Sequence, residues 1–151
     1  MTKRALLEKI YDSLYKEVSD ILERFNPCEH KVCSSCHTCL GKLDFSAVKG
    51  SYGDNTTKEA CCVGCKFWKN GCTADKPLYC KVWLCETAAS KYPIVKSKLD
   101  IIQNKARKFN FVSGFLCRKE KVDAIDFCIE MNNFSRKQID ELVLSNGIDI
   151  A

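Results

Sequence analysis

The chain has no apolar run long enough to cross a membrane or form the core of a signal peptide. Even Ala5 to Phe25, near its start, carries a charged residue every few positions. On that reading the protein is expected in the reducing cytosol, with no membrane partner. Clustered thiols there mean metal or redox chemistry, because structural disulfides are rare. A disulfide framework fits only an exported chain. Also missing are a glycine loop that cradles phosphate, the paired histidines of a zinc-protease helix, and the Cys-x3-Cys-x2-Cys run of radical S-adenosylmethionine enzymes. No catalytic residue is assigned on this basis, and a non-enzymatic role is preferred. The alternative is a cysteine nucleophile paired with His30 or His37, but among so many thiols ligation is the simpler role.

The scarcest commodity is aliphatic side chains in the middle of the chain. Between Cys28 and Cys85 there are eight in 58 positions: Val32, Leu40, Leu43, Val48, Val63, Leu78, Val82 and Leu84. So few cannot bury enough surface to offset the conformational entropy of the segment. Something other than a hydrophobic core must order it.

What the segment has instead is cysteine. The 151 residues include 12 cysteines, roughly the 8% share at which composition signals a crosslinked or metal-held scaffold. One cluster reads Cys28-Glu-His-Lys-Val-Cys33-Ser-Ser-Cys36-His-Thr-Cys39, and a second holds Cys61, Cys62, Cys65, Cys72, Cys80 and Cys85. Two residues between cysteines let both thiolates of a tight turn face one ion, as in Cys33/Cys36, Cys36/Cys39 and Cys62/Cys65. These ten cysteines are the candidate ligands. His30 and His37 are secondary candidates, and Cys117 is a remote one. Four ligands make a tetrahedral zinc site, so the donors suffice for two zinc ions, the favoured cofactor.

The alternative is an iron–sulfur cluster such as [4Fe-4S], since thiolates serve both metals. Cys33, Cys36 and Cys39 resemble the three-ligand rhythm of bacterial ferredoxins, which implies a fourth, remote cysteine and a role in electron transfer or redox sensing. The likeness spans seven residues. That family's next cysteine and its proline are absent, and Leu40-Gly41-Lys42-Leu43 stands there instead.

Around this module the sequence reads as helix, so the expected fold is α-rich with a little irregular or β content. Residues 1–27 form an N-terminal amphipathic helix, with Leu7, Ile10, Leu14, Val18, Ile21 and Phe25 spaced three or four apart. Pro27 ends it. The stripe packs on the rest of the chain or, alternatively, pairs with another helix in a dimer or an adaptor contact; the oligomeric state is left open. Residues 28–89 form the metal module, with a glycine-rich hairpin or loop at Gly50 to Asn55 and no internal repeat. Residues 90–151 are the C-terminal helical region. Helical periodicity there runs from Lys91 to Phe109, with Pro93 in its first turn, and again from Arg118 to Asn132, with Val122, Ile125 and Ile129 as its apolar face. Ser135 caps a last helix that Gly147 closes. Asn110 to Cys117 is a connector or a short buried strand. Cys117 and Cys128 read first as core residues, because a buried free thiol packs like a small hydrophobe.

Charge is segregated along the chain. Of the 24 basic residues, nine fall in residues 90–121 beside two acidic ones, while residues 122–151 hold two basic and six acidic. The candidate nucleic-acid contacts are Lys91, Lys98, Lys105, Arg107, Lys108, Arg118, Lys119 and Lys121, expected on the side opposite the apolar stripe. A solvated helix face or an acidic protein partner fits the same residues. Phe67, Trp68, Tyr79 and Trp83, set among the cysteines, suit shielding of the metal or stacking on bases.

Overall fold

The computed structural model describes residues 1–24, 78–82, 89, 92–112 and 120–150. They form five helices: α1 (Lys3–Arg24), α2 (Leu78–Val82), α3 (Pro93–Lys108), α4 (Lys121–Asn132) and α5 (Arg136–Ser145). The fold is mainly α, and among the described residues none lies in a strand.

Helix α1 is the centre of the packing. Thr2 starts it, its hydroxyl accepting from the Ala5 N–H at 3.1 Å, which satisfies one of the orphan donors of the first turn. Leu7, Ile10, Leu14 and Val18 are buried as their spacing requires, and Leu6, Tyr11 and Leu22 widen the stripe. Ile21 is only partly buried against the core. Helix α1 packs against α2, α3 and α4. Phe25 and Pro27 lie outside the described residues.

Helix α3 begins with Pro93 in its first turn, where the missing N–H costs nothing, and buries Leu99, Ile102 and Ala106. It ends in a Schellman motif. Asn110 adopts a left-handed φ of 56°, the Asn110 N–H donates to Arg107 O, and the Phe111 N–H reaches back to Ala106 O at 3.1 Å. Asn110 is held there by its side-chain bond to Asn132 Oδ1 at 2.9 Å. The described part of the 110–117 connector is therefore a helix cap rather than a strand. It folds Phe111 and Val112 into the core, with Phe109 stacked on Phe111.

Helix α4 corrects the expected face. Val122 is 61% exposed and Ile129 37% exposed, while Ala124, Ile125 and Cys128 are buried. The helix is rotated by about a quarter turn from the Val122/Ile125/Ile129 stripe. Ala124 and Cys128, one turn apart, are the small residues of the buried face, and the bulkier Val122 and Ile129 are turned outward.

Helix α5 forms as its local signals require. Ser135 and Gln138 make a capping box, with the Gln138 N–H on Ser135 Oγ at 3.2 Å and the Ser135 N–H on Gln138 Oε1 at 2.8 Å. Gly147 closes the helix at φ 60°, and the Ile148 N–H bonds Val143 O at 3.0 Å in a second Schellman motif. Ile139, Val143 and Ile148 complete the core.

Candidate metal centre

Of the ten candidate cysteine ligands, one has a described backbone position: Cys80, the middle residue of α2. Cys28, Cys33, Cys36, Cys39, Cys61, Cys62, Cys65, Cys72 and Cys85 lie outside the described residues, as do His30, His37 and Cys117. Among the described residues no three histidine, cysteine or carboxylate side chains group together as a metal site would require.

The anchoring of α2 is the geometry that bears on the module. Leu78 and Val82, one turn apart, are fully buried in the helical core. The Leu78 N–H, an orphan donor at the start of this single turn, donates to the Tyr11 hydroxyl at 3.0 Å in a buried bond. Lys81 Nζ donates to Ser19 Oγ at 2.9 Å and stands 4.3 Å from the centre of the Tyr15 ring, a cation–π contact. Tyr11, Tyr15 and Ser19 recur every fourth residue along one edge of α1, so three successive turns of α1 hold α2. The backbone of Cys80 is thereby fixed within two residues of both anchors. Sequence reasoning did not single out this edge, although the i, i+4, i+8 spacing of two tyrosines and a serine beside the apolar stripe was its visible trace.

Cys128 is buried. Burial pushes its thiol above the ordinary value, against a smaller opposing contribution from the Asn132 side chain, whose Nδ2 is 3.8 Å from Sγ. It is a neutral core residue rather than a thiolate ligand.

The basic candidates do not form one face. Lys98, Arg107 and Lys108 are exposed, with no ion pair among the described residues. Lys105 sits at the border of the apolar stripe with its side chain 17% exposed, its Nζ 3.4 Å from Glu17 of α1. Lys121 pairs with Asp12 of α1 at 2.8 Å. At 3.6 residues per turn Arg107 lies about 160° round the helix from Lys105, so Lys98 and Lys105 flank the stripe on one side and Arg107 on the other, while Lys108 alone stands opposite it. Part of the basic excess thus ties α3 and α4 to the acidic side of α1. Lys91, Arg118 and Lys119 lie outside the described residues.

No helix among the described residues is long and apolar enough to cross a membrane. Comparison with protein-family models, with characterised proteins and with solved structures finds nothing that matches this chain.

Proposed function

We propose that the protein is a non-enzymatic, cytoplasmic metal-binding protein in which cysteine-ligated metal, zinc in preference to an iron–sulfur cluster, orders the segment from Cys28 to Cys85. The observation that carries this reading is the pairing of ten thiols at ligand spacings with a near absence of aliphatic side chains in the same stretch. The helical scaffold supports it: Leu78 and Val82 hold the α2 backbone, which includes Cys80, against α1, and this lowers the ordering cost of any site that uses it. Elemental analysis with an anaerobic visible spectrum is the test. A colourless protein carrying about two zinc ions is expected. A brown protein absorbing near 400 nm reassigns it to iron–sulfur chemistry, and a fully metal-free folded chain refutes both.

The second half of the proposal is contact with nucleic acid through Lys98, Arg107 and Lys108, the exposed cations of α3. Lys98 and Arg107 lie about 180° apart round α3, so one docked duplex meets two of the three cations, and two phosphate contacts predict a slope of about −2 in log affinity against log salt concentration. Absent or salt-insensitive binding to DNA and RNA leaves a metal-held scaffold for an acidic protein partner or an adaptor.

A further inference from the structure

Where the first turn of α1 meets the end of α4 and the start of α5, the structure holds a cavity of about 270 Å³. Its floor is Leu7, Cys128 and Ile139, all buried, and Ile129 and Phe134 form its walls. Lys3 and Arg4, both exposed, stand at its mouth.

Several bonds hold this mouth in place. Lys3 Nζ donates to Phe134 O at 3.3 Å, Arg136 Nη1 donates to Met1 O at 2.7 Å, and Arg4 pairs with Asp126. Asn133, at φ 46°, and the Ser135 capping box fix the corner between α4 and α5, while Phe134 is held edge-on against Phe109. The walls therefore cannot close in without breaking these contacts, and a pre-formed apolar pocket binds without an ordering cost.

We infer that this cavity binds a medium-chain carboxylic acid, its alkyl chain on the Leu7–Cys128–Ile139 floor and its carboxylate at Lys3 and Arg4. The volume suits roughly nine carbon-sized groups at liquid density. The floor offers the chain no strong polar partner, and its single thiol stays protonated because burial disfavours the thiolate. Lys3 and Arg4 each use one donor on their present partners and retain others for a carboxylate. The backbone dipole of α1 adds positive potential at the same end.

The test is titration of the full-length, metal-loaded protein with octanoate, 1-octanol and N-acetylleucine amide, followed by amide chemical shifts. Saturable shifts at Leu7, Cys128 and Ile139 are expected with octanoate, at least about fivefold tighter than with octanol. Lys3→Glu, at an exposed position, is expected to abolish that preference, weakening octanoate at least about fivefold more than octanol, which loses only the Lys3–Phe134 bond at the mouth. Ile129→Trp, which blocks a partly exposed wall, is expected to abolish both with helical circular dichroism retained. Equal affinity for acid and alcohol, a preference for the leucine amide, or no saturable shift at the floor would each overturn the inference.

Discussion

Helix α1 buries seven of its 22 residues, whereas the segment from Cys28 to Cys85 offers eight aliphatic side chains in 58 positions. Two of those eight, Leu78 and Val82, belong to the helical core, which leaves six for the rest of the segment. One region is ordered by burial of apolar surface, at about 25 cal/mol for each Å² removed from water. The other lacks that resource and has thiols in its place. The two should therefore fail under different insults.

Metal removal is the largest expected effect and the most direct way to break the contrast. Structural zinc contributes on the order of 10 kcal/mol to the folding of small modules. Complete chelation, or serine at both Cys33 and Cys36, should make residues 28–77 protease-labile within minutes. Most of the helical circular dichroism, which comes from α1 and α3 to α5, should survive. Persistent protease resistance in the metal-free segment would show that it needs no metal. Simultaneous loss of the helices would show one cooperative unit instead of two regions.

The converse insult is Leu14→Ala. Leu14 is fully buried at the middle of α1, and a leucine-to-alanine cavity costs about 2–5 kcal/mol. Urea denaturation followed by circular dichroism should show that loss, while the metal content of the folded protein stays at its wild-type value below the transition. A loss under 1 kcal/mol would mean that α1 is not the centre of the core.

The same contrast explains what was legible beforehand. The α1 stripe, Pro93 at the start of α3, the Ser135 cap and Gly147 are local signals, set by periodicity and by backbone groups within one or two turns, and each structure forms where its residues stand. The face of α4 is a tertiary decision. Val122 and Ile129 are the more hydrophobic choice, yet the packed helix buries Ala124 and Cys128. Helix α2 is harder still, because Leu-Tyr-Cys-Lys-Val is too short to show a helical period. Its form depends on Tyr11, 67 residues away in sequence. The same applies to Lys105 and Lys121, whose charge was visible but whose carboxylate partners on α1 were not. Of the candidate centre itself, donor types and spacings are readable in the sequence, and the grouping of donors around an ion is a long-range arrangement that spacing alone does not specify.

Tyr11→Phe probes the joint between the two regions. The substitution keeps the ring, and with it the edge-on contact to Phe111 at 5.4 Å between centroids, but leaves the Leu78 N–H buried without its acceptor. That costs about 1–3 kcal/mol. Hydrogen exchange should accelerate in Leu78–Val82 far more than in α5. Uniform acceleration across all helices would place Tyr11 in the core alone and remove α2 as the link.

The smallest effect is in pH, where the two regions should move in opposite directions. Ligand thiols must lose their protons to bind metal, so the cysteine segment should release metal as pH falls and hold it more firmly as pH rises. Cys128 behaves in the reverse sense. Its folded-state thiol titrates above the ordinary value of 9.0, chiefly because it is buried. Above that ordinary value the unfolded chain gives up its proton while the folded chain keeps it. The unfolded state is then favoured. The stabilisation is complete below about pH 9 and is lost as pH rises through the higher folded value. Denaturation of the wild type and of Cys128→Ala at pH 7, 8, 9 and 10 isolates this term, because lysine and tyrosine titrations are common to both. The wild type should lose its advantage over the alanine variant only in the last two steps. A constant difference between the two proteins across the series would mean that the Cys128 thiol ionises equally easily folded and unfolded, and that its pocket is wetter than the burial of Leu7, Cys128 and Ile139 implies.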